Sequence, residues 1–422
     1  MSFDTAVSGI KASSVSLGII GNNIANAGTA GFKTSRGEFA DVFTSSLLGS
    51  SGSTAGKGVA VVGVSQAFTQ GNIRVTDNVL DIAINGSGFF VLDDKGSNVY
   101  SRAGNFQVDR NGYVVNPNGN RLQVFATTET GAVTGERKAL HIDTSLIQPK
   151  QTAATEVHAN LDSRSVKPEV EWPAAGFDAF AEPPTAPSPD MYNSSTSLVI
   201  YDSLGNAHVQ SLYFVKGDGD NEWNVHTLID GVSVSGPDPV QFSDSGQLDP
   251  ASLPLNIDIS GWQPLNSLGQ PNGARTANLT LNLSGLTQFG NEFSVNNIAQ
   301  DGYTTGQLRG VEVDANGIVF TRFTNGQSRA LGQIALANFS NTAGLQPLGS
   351  TAWAETFASG QPAIGSPGTA GLGTVQSGAL EDSNVEVTQQ LVDMIVAQRN
   401  FQANAKVIQT EDTITQAVIN LR

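Results

Sequence analysis

LEDSNVEVTQQLVDMIVAQRNFQANAKVIQTEDTITQAVINLR, residues 380–422, contains neither Pro nor Gly. Leu380, Val387, Met394, Phe401 and Ile408 recur every seven residues, with Leu391, Ala405 and Ile419 interleaved. A sustained seven-residue apolar repeat marks a helix with one narrow apolar face. At 1.5 Å per residue the run allows a helix of about 60 Å. Such a stripe on a lone helix is unstable in water and requires a partner. The other end of the chain offers one. Phe3, Ile10, Leu17 and Ile24 also recur every seven residues, and Val7, Ser14 and Gly21 take the companion positions. The expectation is that the two terminal helices pair. Val392, Ile395, Val407, Ile414, Val418 and Leu421 lie off the C-terminal stripe. That apolar face is wider than one partner helix needs, which points to packing against further copies of the chain.

The segments between the ends read as β-structure. LDIAINGSGFFVL, Leu80–Leu92, is a strand–turn–strand pattern around Asn85-Gly86. GYVVNPNGNRLQVF, Gly112–Phe125, and LRGVEVDANGIVF, Leu308–Phe320, read as hairpins turning at Asn118-Gly119 and Asn316-Gly317. Asn-Gly between alternating apolar residues is the strongest short hairpin signal. The texture changes near residue 146: 13 of the 17 prolines lie between Pro149 and Pro271. Val166–Asp190 reads as a long loop, followed by short strands at Thr196–Asp202 and His208–Lys216. The economical organisation is nested. It comprises an N-terminal core helix (1–30), a connecting segment (31–70), a β domain in two parts (71–145 and 286–361) around an inserted acidic β domain (146–285), a Gly-rich return linker (362–378) and a C-terminal core helix (379–422).

Composition limits the function classes. With 39% hydrophobic residues, 14% charged residues and 46 glycines in 422 residues, the chain favours β-structure with many tight turns over a helical enzyme. A net charge of −16 argues against nucleic-acid binding, which needs a basic face. Residues 147–285 hold 16 Asp/Glu against 5 Lys/Arg, so this stretch supplies −11 of that charge and reads as a solvated surface. The absence of Cys removes disulfides, thiolate metal sites and thiol catalysis. The opening MSFDTAVSGIKASSVSLGII lacks a basic n-region and an unbroken apolar core, so no cleaved secretory signal is expected. No run approaches the roughly 18 apolar residues of a membrane span, so no membrane insertion is expected.

No catalytic, cofactor or metal site is expected. His141, His158, His208 and His226 share no metal-binding spacing. GDGDNEW, Gly217–Trp223, alternates acidic residues but lacks the rest of a calcium loop, and reads as a polar hairpin turn. Gly86-Ser87-Gly88 precedes a strand rather than a helix, which argues against a phosphate loop. Two rival readings place function in the acidic insert. One is a hydrolase, for which no motif orders the carboxylates. The other is an adhesive or glycan-binding module using Trp172, Trp223 and Trp262, for which burial in a core is the commoner explanation. GNNIANAGTAGFKTSRGEF, Gly21–Phe39, suits a tight connection leaving a helix, because Gly and Asn tolerate positive φ and small residues let backbones approach. Phe32 and Phe39 could anchor that connection on a neighbouring surface.

These segments also carry a resemblance. NNIANAGTAGFK (Asn22–Lys33), GSGFFVL with Tyr100–Phe125, and the run Ser377–Arg422 closely resemble, in order, three signatures of the bacterial flagellar axial family of rod and hook proteins. The chain's length and acidic insertion resemble the hook members more than the shorter distal rod members. The resemblance implies a multidomain α+β fold: paired, coiled-coil-like terminal α-helices form an inner core, and nested discontinuous all-β domains lie between them. It implies a structural homo-polymer of many copies, a flexible curved tube acting as a universal joint, exported without a cleaved signal to the outside of the cell. Implied partners are the flagellar rod, hook cap, hook–filament junction proteins and the type III export apparatus; a distal rod or hook–filament junction component is the alternative. The expected assembly interface comprises Phe3, Val7, Ile10, Leu17, Ile24, Leu391, Met394, Phe401, Ile408 and Ile419. Asn22, Asn23, Asn26, Gly31, Phe32 and Lys33 carry the family's linker motif. The 21–39 loop and the return segment Gly365–Gly378 are expected to flank the core and set the geometry between subunits.

Overall fold

The computed structural model describes residues 2–42, 56–128, 131–252 and 255–420. The described chain divides into two compact units. The first contains residues 1–144, 309–322 and 328–422; the second contains 145–308 and 323–327.

In the first unit, helix α1 spans Ser2–Ala25 and helix α2 spans Val387–Asn420. They pack on each other. Asn23 meets Gln390 where α1 ends and α2 begins, and Gly9 meets Asn404 further from those ends, so the helices run antiparallel. Three glycines inside α1 each weaken a lone helix by about 1 kcal/mol, so its stability must come from α2. α2 covers 34 residues, about 51 Å, and is shorter than the sequence suggests. Leu380 is not helical. It lies in the strand Ala379–Glu381, paired with Ile73–Val75. Asn384 breaks the periodicity: its Oδ1 accepts hydrogen bonds from the Thr34 N–H and hydroxyl, and its Nδ2 donates to the Ala67 and Thr69 carbonyls. Polar residues that bond locally in this way compete with the helix. Leu421 and the side chain of Val418 lie outside the described residues.

The connecting segment carries an antiparallel ribbon, Ser35–Asp41 with Val59–Gln66. Beyond it, a sheet runs in the order Leu308–Val313, Ile318–Phe323, Ser328–Ile334, Arg121–Thr127, Phe89–Asp94, Ser97–Ser101, Ala352–Ala354, Gln346–Gly349. Phe89, Tyr100, Phe339 and Trp353 fill its core with Phe68, and most of these rings meet edge to face. The Asn118-Gly119 turn forms as read from sequence, with Val115 paired to Arg121 across it. The Asn316-Gly317 turn forms too, with Gly317 N–H bonded to Asp314 O. The Asn85-Gly86 pattern has a different outcome. Its strands exist, at Ile82–Asn85 and Phe89–Asp94, but they do not pair with each other. Ile82–Asn85 pairs with Thr374–Ser377 in the return segment, while Phe89–Asp94 joins the large sheet. With positive φ at both Gly86 and Gly88, the loop carries the chain between sheets instead of folding it back.

The second unit packs two sheets around one core. A meander of Ser194–Tyr201, Ala207–Lys216, Glu222–Ile229 and Val232–Gln241 forms one sheet. The other is built on Ala154–Asp162, which pairs in parallel with Ala277–Asn282 and antiparallel with Ser294–Gln300. Residues 294–300 therefore belong with the acidic unit. Val166–Asp190 contains no strand, and GDGDNEW is the turn joining two meander strands. Trp223 and Trp262 are buried in the shared core; Trp172 stacks flat on His226 at 4.2 Å.

Two buried histidines make this unit pH-sensitive. Burial opposes the charge on His208, but hydrogen bonds to Asp230 (2.6 Å) and Asp202 (3.4 Å) outweigh it and raise its pKa. Its contribution is complete below about pH 6.5 and is lost as pH rises through the raised value. Burial pushes His226 down to about 4, so its contribution is complete above about pH 6.5 and is lost as pH falls toward that value. Thermal melts followed by tryptophan fluorescence should therefore show Tm falling above about pH 6.5 in the wild type. His208→Asn should flatten this alkaline limb. A wild-type Tm that is level from pH 6.5 to 9 contradicts the assignment.

Candidate assembly surface and linker clasp

The α1–α2 seam is made of small and polar residues. Ala6, Ala12, Ser13, Ile20 and Asn23 are the buried positions of α1, and Ala397 is the only buried one among the described side chains of α2. A Cβ on Gly9 would sit 2.7 Å from the Asn404 amide, so glycine there permits the approach. This seam is offset by one residue from the predicted α1 stripe, a rotation of about 100°. Val7, Ile10, Leu17 and Ile24 are consequently half-buried on its flank, and Phe3 is exposed. On α2, Met394 and Ile408 are half-buried, while Leu391, Phe401 and Ile419 are exposed. Val392, Ile395, Val407 and Ile414, read from sequence as surplus to one partner, are each about half exposed. Val7, Ile10 and Phe401 line a groove of about 850 Å³ with Val61 of the ribbon.

The linker motif forms a clasp between the two ends of the chain. Asn26 Nδ2 donates to the Asn22 carbonyl and closes the end of α1. Asn23, almost fully buried, bonds Ser35 through both its donor and its acceptor and also donates to Gln390 Oε1. Gly31 adopts φ +69°, and a Cβ there would lie 2.5 Å from the Ala103 nitrogen, so both conformation and space require glycine. Its N–H donates to the Glu381 carbonyl. Phe32 is half-buried, and Phe39 is left exposed on the ribbon.

Lys33 is fully buried. Its Nζ donates to Glu381 Oε1 at 2.6 Å and to the Thr69 carbonyl at 2.7 Å. Oε1 also accepts from the Gly71 N–H. Arg102 Nε faces Glu381 Oε2 at 3.5 Å, an ionic contact rather than a hydrogen bond, and its Nη2 donates to the Gly86 carbonyl. Two buried cations thus share one buried carboxylate. Burial lowers the pKa of Lys33 and of Arg102, and Glu381 opposes the shift in both. Sequence reading found Lys33 but not Glu381, Arg102, Asn384 or Gln390. An isolated Glu ahead of a helix has no periodicity or motif to mark it.

Antiparallel terminal helices clasped by their own linker, with apolar surface left over, define a subunit built for an axial assembly. Family models agree along the chain: flagella basal body rod protein over residues 3–33, flagellar hook protein FlgE/F/G D1 domain over 83–160, flagellar basal body protein FlaE D2 domain over 160–303, and flagellar basal body rod FlgEFG protein C-terminal over 376–421. The chain is 38% identical to the flagellar hook protein FlgE of Escherichia coli K12 over 100% of both chains. It is 34% identical to that of Borreliella burgdorferi over 99% of this chain and 98% of the relative. The chain belongs to the flagellar hook protein family. Its fold is similar to the crystal structure of Helicobacter pylori flagellar hook protein FlgE2, with TM-score 0.51 and 15% identity over 73% of this chain and 100% of the other.

Proposed function

We propose that the chain polymerises through its terminal helices into the curved, flexible tube of the hook, passing motor torque from rod to filament. One observation carries this reading: α2 leaves nine large apolar side chains, from Val387 to Ile419, between 37% and 65% exposed after α1 has packed on it. Isolated exposed apolar residues are ordinary, but nine large ones on a single helix, set around most of its circumference, mark a helix that more than one partner covers. In the tube, Phe3, Val7, Ile10, Leu17, Ile24, Leu391, Met394, Phe401, Ile408 and Ile419 meet neighbouring subunits and resist torsion. The buried clasp ties the terminal helices to the β structure of the first unit, and polar surfaces between subunits slide as the tube bends. The rod, hook cap, junction proteins and type III export apparatus are its partners, the site of action is outside the cell, and the role is structural rather than enzymatic. Immunogold electron microscopy with antibody against the full chain should label only a short curved segment between cell surface and filament. Label confined to detergent-stripped basal bodies would make it a rod protein instead.

A further inference from the structure

Phe357 is the most exposed large apolar residue among those described, at 105% of its reference area. It does not sit on a loose loop. Thr356 Oγ1 accepts from the N–H groups of Ala358 and Ser359 and donates to the Gly344 carbonyl at 2.6 Å. Ser359, fully buried, accepts from the Thr356 N–H and donates back to the Thr356 carbonyl. Asn341 Nδ2 holds the Ala358 carbonyl from the facing turn. The backbone on both sides of Phe357 is thus pinned, and the ring is held out in water.

We infer that Phe357 is a preorganised docking knob for a second copy of this chain, an inference that rests on the polymeric reading above. Charge identifies the occupant. Copies carrying −16 each repel one another, so contacts between them favour surface without charge. Residues 336–380 contain a single charged residue, Glu355, whose Oε2 accepts a hydrogen bond from the Tyr100 hydroxyl. Phe357 projects from this neutral stretch. The sheet-edge strand Gln346–Gly349 in the same stretch is exposed throughout and presents Leu348. Pro347 lacks a backbone donor, which disfavours strand addition and leaves side-chain docking as the mode of contact. A rigid aromatic loses little entropy on docking, the property of interface anchors.

The chain has no cysteine, so Ala358→Cys, at an exposed position beside Phe357, supplies a unique label site that keeps the ring. Its maleimide labelling should slow by about ten-fold or more in isolated hooks relative to unpolymerised subunits. Phe357→Asp should raise the concentration needed for polymerisation by about ten-fold or more while leaving the subunit's Tm unchanged, and Phe357→Leu should restore assembly. Equal labelling in both states, or wild-type assembly by Phe357→Asp, overturns the knob alone. A wild-type chain that forms no tube overturns the hook reading and the knob with it.

Discussion

Glu381→Gln is expected to destabilise the first unit by about 3–5 kcal/mol, the usual effect of breaking a buried ion pair by removing one partner. The substitution leaves Lys33 and Arg102 as two buried cations with no counter-charge, since both lean on this one carboxylate. Lys33→Met should cost less. It removes a buried charge and leaves Arg102 and Glu381 as a balanced pair, while the long apolar side chain keeps most of the packing. The order of the two variants is therefore a sharper test than either value. Hydrogen exchange across a urea series, read on peptides from residues 82–101, measures both. Equal costs, or a Glu381→Gln effect below about 1 kcal/mol, would show that the cluster is not the clasp described.

Ile395→Asp combined with Val392→Asp should leave the subunit folded and abolish the tube. Both side chains are about half exposed beside α1, so the subunit loses little buried area. In a polymer the same positions become buried contacts, and two unpaired carboxylates there are heavily penalised. The concentration needed for assembly should rise by about 100-fold or more, and cells carrying the variant should be non-motile. Far-UV circular dichroism serves as the control. A variant that assembles normally would place the polymer contacts elsewhere.

Much of this fold was legible from local pattern. The pairing of the ends followed from seven-residue spacing, and the hairpins followed from Asn118-Gly119 and Asn316-Gly317. The misses have physical causes. The heptad reading chose the most apolar stripe of α1, whereas the intramolecular seam uses Ala6, Gly9 and Ser13, because small residues bring helices close. The larger residues stay half-buried or exposed on the flank of that seam. Leu380 matched the repeat by coincidence, since three helix-competing residues, Asp382, Ser383 and Asn384, follow it. Asn85-Gly86 signalled a turn but could not reveal that Ile82–Asn85 pairs with Thr374–Ser377, nearly 300 residues away. The Glu381–Lys33–Arg102 cluster is equally non-local, and only the tertiary fold brings it together.

In the proposed tube, subunits meet at the apolar surface left open on α2. Electron cryomicroscopy of isolated hooks tests this directly. Leu391, Ile395, Val407 and Ile414 of each subunit should lie within about 4.5 Å of apolar atoms from neighbouring subunits. A tube in which these side chains face solvent, with subunits joined only through their β units, would contradict it.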